Sequence, residues 1–237
     1  MFQVNLANTA NRKIVEQLGN ITVFEYDHDL SADADKAMDQ YYASKMNIKR
    51  RQALLQVNPA APVTCQPGEV AWTVGQLQTS PNGNGVGDYA KQLLGPTAMI
   101  EVANKPIYQG NGLIMLSPVF KNLIIEDVGA WNGMLIEDDK FAACSASIGV
   151  SSVTRGFAPN ININSTCLVG AGFVVLKSDY PRSELVEVGL SGDELKIDRN
   201  QVLAWSQSLA FSAEYSDDGS RIMYVFRGMG RVVISPV

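Results

Sequence analysis

Histidine occurs once in this 237-residue chain, at His28, and cysteine three times, at Cys65, Cys144 and Cys167. A single histidine excludes the multi-histidine metal centres of cupin-type barrels and argues against a Ser-His-Asp triad. An odd number of scattered cysteines without metal-ligand spacing points to reduced thiols in a cytoplasmic protein, not to a disulfide framework. Cys144 stands in Phe141-Ala142-Ala143-Cys144, where a thiol packs as a small hydrophobe. No histidine lies close in sequence to lower the pKa of any of the three. No apolar run approaches the roughly 20 residues that cross a bilayer. The opening Met1-Phe2-Gln3-Val4-Asn5-Leu6 lacks the basic-then-apolar layout of a secretion signal. The net charge of −5 argues against a surface dominated by phosphate-backbone contacts, so nucleic acid is not the expected partner.

Glycine, by contrast, is placed with regularity. Gly110-Asn111-Gly112-Leu113-Ile114-Met115-Leu116, Gly170-Ala171-Gly172-Phe173-Val174-Val175-Leu176 and Gly228-Met229-Gly230-Arg231-Val232-Val233-Ile234 are versions of one segment. Each reads as a Gly-x-Gly turn leading into an apolar strand, and a period of about sixty residues means one β-rich unit copied along the chain. Met134 to Ser145 aligns without a gap on Leu195 to Ser206, and both read as strand, acidic-polar turn, strand. Pro67-Gly68-Glu69 and Gly192-Asp193-Glu194 are related turns, and Ser216-Asp217-Asp218-Gly219 predicts a further hairpin. The body therefore reads as residues 52–237 in three units, about 52–125, 126–186 and 187–237, preceded by a segment 1–51 packed on it.

Two stretches differ. Ser31 to Arg51 has no Gly or Pro, runs from acidic Asp33 and Asp35 to Lys49-Arg50-Arg51, and places Ala34, Met38, Tyr42 and Met46 at four-residue spacing. This predicts a helix with one apolar stripe against the body, its basic residues at the C-terminus. The loop Gly83-Asn84-Gly85-Val86-Gly87 leads into a short helix from Asp88 to Gly95. Its glycine spacing superficially suits a phosphate, but it lacks the Gly-Lys-Ser/Thr ending and the βαβ surroundings of nucleotide loops, and reads as a surface loop. The three Gly-x-Gly turns feed strands, so none offers an anion the N-terminus of a helix.

The remaining candidates have plain explanations. His28 follows Glu25-Tyr26-Asp27 and precedes Asp29, a set that could hold a cation but reads as the polar turn ending a strand. Glu126-Asp127 and Asp138-Asp139 fall at turns, whereas paired catalytic carboxylates converge from separate elements. Lys49-Arg50-Arg51 could touch an acidic partner, but a helix end accounts for it. No residue is singled out as catalytic, cofactor-binding or metal-ligating.

The Pro67-Gly68-Glu69 turn, the glycine loop with Asp88 to Gly95, the Gly110-Asn111-Gly112 strand, Gly192 to Trp205 and the closing Gly228-Met229-Gly230-Arg231-Val232 together resemble the mitochondrial biogenesis family named for altered inheritance of mitochondria. The resemblance covers most of the chain from about Gln52 onward; the first fifty residues match poorly, and Arg155 to Thr166 lacks a glycine-rich insertion frequent in the family. It implies a fold similar to the tryptophan RNA-binding attenuation protein and a homo-oligomer, and it supplies no catalytic residues. Strand-rich repeats also leave sheet edges that must be capped, covered or paired, and a trimer is the expected form. The expected fold is mainly β: duplicated β-sandwich or barrel-like repeats of the double-stranded β-helix type, with an N-terminal helix and one short loop helix. The expected function is a non-enzymatic oligomeric scaffold or binding module, with no cofactor. RNA or small-ligand binding, and an enzyme or metal protein with a cupin-like site, are the alternatives.

Overall fold

The computed structural model describes residues 2–6, 9–30, 34–81, 94, 98–158 and 161–235. The chain is mainly β, as its alternating strands predict. Ile161, Ile163 and Ser165 point inward from β12 (Ile161–Val169) while Asn162 and Asn164 face solvent, the period of two that half-buried strands require.

Two sheets form, both antiparallel throughout. The first runs β1 (Arg12–Leu18), β2 (Ile21–Tyr26), β3 (Arg50–Val57), β7 (Ile107–Leu116), β4 (Val63–Cys65), β10 (Phe141–Ser145), β13 (Phe173–Ser178) and β8 (Asn122–Asp127), with β5 (Val70–Ser80) added on β7. The second runs β14 (Val186–Asp198), β17 (Ile222–Ile234), β15 (Val202–Ser206), β9 (Met134–Glu137), β12, β11 (Gly149–Ala158) and β6 (Met99–Val102), with β16 (Ala210–Tyr215) added on β17. This second sheet curls until Phe211 on β16 meets Phe157 on β11, ring centroids 5.1 Å apart, giving a nearly closed barrel. Hydrogen bonds from β2 to β3 place the N-terminal strands in the same sheet as the chain that follows.

Three large apolar clusters, and a small fourth of Phe24, Leu54 and Met115, fill the described body. Ile21, Leu55, Ile114, Leu123 and Val175 pack under the first sheet, and Leu135, Ile163, Trp205, Tyr224 and Phe226 inside the second. Between them Met134, Ile136, Phe141, Leu168, Val174 and Leu203 join β9, β12 and β15 of one sheet to β10 and β13 of the other. At roughly 25 cal/mol per Å² of apolar surface removed from water, these shared residues bind the sheets into one body.

The helix departs from its prediction. α1 (Ala37–Lys45) is nine residues long, and its one buried position is Ala43. Met38, Tyr42 and Met46 of the expected stripe are 64%, 56% and 70% exposed. The helix stops because Asn47 takes a left-handed φ of 55° and the Ile48 N–H donates to the Ala43 carbonyl, a closure usually made with glycine. Arg50 and Arg51 consequently begin β3 and do not cap a helix. The glycine loop 83–87, the short helix 88–95 apart from Leu94, and the Ser31 cap lie outside the described residues.

Candidate functional site

The turn Asp138–Lys140 links β9 to β10, and the turn Arg199–Gln201 links β14 to β15. Together with residues 220–222 at the start of β17 they enclose a cleft of about 540 Å³, lined among others by Glu137, Lys140, Tyr180, Asn200 and Arg221. Its floor is a charge pair between buried Glu137 and partly exposed Arg199. Arg199 donates from Nε and NH2 to the two oxygens of Glu137 at 2.9 and 2.7 Å, and the Tyr224 hydroxyl donates to Oε1 at 2.5 Å. Burial of Glu137 works to raise its pKa, but the hydrogen bonds from Arg199 and Tyr224 outweigh it and hold the carboxylate below its usual range. Burial and the adjacent carboxylate push the Tyr224 phenol up. Lys140 donates to the Val202 carbonyl, and burial lowers its pKa.

Behind the same turn lies a second polar knot. Lys105, 4% exposed, donates to Gln66 Oε1 at 2.6 Å and Asp138 Oδ1 at 2.8 Å, and sits 4.7 Å from the centre of the Phe141 ring. Thr166 donates to the same Asp138 oxygen at 2.6 Å. Burial raises the Asp138 pKa, and the bonds from Lys105 and Thr166 bring it below the ordinary value. The first knot ties β9, the turn before β15 and β17 within the second sheet, and the second knot joins Gln66, after β4 of the first sheet, through Lys105 and Asp138 to Thr166 on β12 of the second. Glu137, Lys105, Arg199 and Tyr224 escaped the sequence reading because their partners stand 33 to 87 residues away.

A second groove runs beside α1. A cavity of about 320 Å³ is lined by Tyr26, His28, Ser44 and Lys49, and it shares Arg50 and Phe120 with a neighbouring space of about 640 Å³ reaching Lys121. The basic run is occupied here: Lys49 donates to the Asp27 carbonyl at 2.7 Å, Arg50 meets Asp29 at 2.8 Å, and Arg51 meets Glu25 at 2.5 Å. His28 lies in the bend after β2, its backbone held by both ends of the Asn11 amide at 2.8 and 3.0 Å. Glu126 receives Arg182 at 2.7 Å, and Asp127 caps the short turn Val128–Trp131 through the Gly129 N–H. Cys65, Cys144 and Cys167 are buried free thiols, and burial pushes the last two up to about 12.

Two of the Gly-x-Gly segments correct the sequence reading. Gly110 and Gly112 lie within β7, and Gly228 and Gly230 within β17, so the strand continues through the glycines. Only Gly170 and Gly172 precede their strand, β13. Positive φ angles at Gly110, Gly170, Gly172 and Gly228 explain the residue type. Two of the segments are received in the same way. Ser145 accepts the Phe173 N–H while Ser147 donates to the Ala171 carbonyl, and Ser206 accepts the Arg231 N–H while Ser208 donates to the Met229 carbonyl.

These features define a mainly β protein of two antiparallel sheets, with paired charged groups about the turn that joins β9 to β10. The chain belongs to the mitochondrial biogenesis AIM24 family, whose model matches residues 46–237. No curated protein matches the sequence significantly. A crystal structure of a Streptococcus pyogenes protein, determined in a structural genomics programme, is similar in fold at a TM-score of 0.57 and 18% identity, over 80% of this chain and 89% of that one.

Proposed function

We propose that the protein is a non-enzymatic, self-associating scaffold or binding module. The observation that carries this reading is the state of the polar groups in the clefts: each strongly held group is engaged by another part of the same chain. Glu137 is consumed by Arg199 and Tyr224, Lys140 by a carbonyl, and Asp138 by Lys105 and Thr166. The carboxylates shift downward and Tyr224 and the thiols upward, away from neutrality and opposite to the tuning of a general acid or base; burial moves Lys140 the other way, but its ammonium stays bonded to the Val202 carbonyl. Self-association is supported by exposed apolar side chains, among them Tyr41, Tyr42 and Met46 beside α1 and Ile14 and Val15 on the edge strand β1. Light scattering of purified protein at micromolar concentration is expected to give a mass above that of one chain; a monomer contradicts self-association. Substrate-specific turnover in a broad activity screen overturns the non-enzymatic part.

Small-ligand binding is the second reading. The cleft above Glu137 has the size of small-molecule sites, about 300–1,000 Å³, with Tyr180, Asn200, Ser220 and Arg221 along its wall.

A further inference from the structure

Among the described strands, β1, β5, β6, β8, β14 and β16 each have a single ladder partner. Five of the six carry charge: Arg12, Lys13 and Glu16 on β1, Glu101 on β6, Glu126 and Asp127 on β8, Glu187, Asp193, Glu194, Lys196 and Asp198 on β14, and Glu214 on β16. Charge on an edge is the usual device by which a folded protein keeps a sheet from adding a foreign strand. β5 has no such protection. Its sequence Val-Ala-Trp-Thr-Val-Gly-Gln-Leu-Gln-Thr-Ser contains neither a charge nor a proline. It pairs with β7 alone, and Ala71, Trp72, Thr73, Gln76, Gln78 and Thr79 are exposed.

The geometry of β5 suits continuation of the sheet. A bulge lies at its beginning, between Val70 and Trp72, and Trp72 to Ser80 then runs in unbroken register against Met115 to Ile107. At about 3.4 Å per residue, this regular stretch offers an edge roughly 30 Å long. The chain as a whole carries −5, so two copies repel wherever their charged surfaces meet, and least along this neutral edge. The sequence of the stretch is also compatible with itself. Paired antiparallel about Gln76, Thr73 stands opposite Thr79, Val74 opposite Gln78, and Leu77 opposite Gly75, beside the Phe2 ring that lies against that glycine. β-branched and hydroxyl pairs of this kind are favourable across strands, and no like charges are opposed.

We propose that β5 is the surface through which two copies of this chain associate, the strands pairing antiparallel about a two-fold axis at Gln76. This rests on the self-association reading and sharpens it, because a two-fold contact requires an even number of copies in place of the expected trimer. The test compares wild type with Gln76→Lys, which sets two ammonium groups against each other on the axis, and with Val186→Lys, which places the same charge on the edge strand β14. The expected result is an even-numbered oligomer for wild type and Val186→Lys and a monomer for Gln76→Lys, with an unchanged circular dichroism spectrum. A wild-type monomer overturns both this proposal and the self-association reading. A wild-type trimer, or a folded Gln76→Lys that still associates, overturns β5 pairing while leaving self-association standing. Gln76→Cys decides the matter if the lysine variant does not fold. Because the three native thiols are buried, mild oxidation is expected to yield a covalent dimer through Cys at position 76, and its absence overturns the proposal.

Discussion

Gly75 and Gly228 have nearly the same backbone, with φ of 107° and 109°, yet they stand in different surroundings. A Cβ on Gly75 would come within 2.3 Å of the Asn111 carbonyl oxygen and 2.7 Å of the Gly112 Cα across the β5–β7 ladder, while one on Gly228 would meet nothing within 4 Å. Both positions are strained for any side chain, but only Gly75 adds a backbone collision that no rotamer relieves. Gly75→Ala is therefore expected to cost about 3 kcal/mol or more and Gly228→Ala about 1–2 kcal/mol, measured by urea denaturation. Equal costs would mean that the ladder yields at Gly75. The glycines were visible in the sequence as punctuation. That Gly110 and Gly228 are bends inside long strands became visible only from the registers of β7 with β5 and of β17 with β14.

At the scale of the element, α1 shows how a regular pattern can point the wrong way. Ala34, Met38, Tyr42 and Met46 keep the four-residue spacing of a buried stripe, but the helix docks through small Ala43 and leaves the large side chains in solvent. Spacing identifies a face and cannot say whether that face meets this body or faces outward. Met46→Gln is thus expected to change stability by no more than about 0.5 kcal/mol, whereas Ala43→Glu, which buries an unpaired charge, is expected to cost about 2 kcal/mol or more. Thermal unfolding of the two variants checks the orientation, and the reverse ranking would refute it. The C-terminal boundary was misplaced for a related reason. Asn47 closes the helix in a left-handed conformation, a role sequence reasoning assigns first to glycine.

At the scale of the whole molecule, apolar packing joins the two sheets, Asp138 adds a polar link between them, and Glu137 ties strands within the second sheet. Glu137 and Asp138 both have folded pKa values below their ordinary ones. A carboxylate depressed by folding contributes stability that is complete above its unfolded pKa, about 4, and disappears as pH falls through the folded value. The urea midpoint is therefore expected to decrease below about pH 4, with Glu137 the larger contributor, since it is buried while the Asp138 side chain is 42% exposed. Glu137→Gln should flatten that acid limb; an unaltered pH profile would show that the Arg199–Glu137 pair does not govern acid stability.

The sequence by itself determined the β class, the strand–turn–strand segments at 134–145 and 195–206, the hairpin at 216–219 and the family, because periodicity and turn chemistry act between near neighbours. Tertiary structure alone decided the division of strands between sheets, the partners of Glu137 and Lys105, the outward face of α1 and the neutral edge of β5. Each depends on which residues meet after distant segments fold together. Arg199 and Tyr224 reach Glu137 across 62 and 87 residues, and no local pattern records such a meeting.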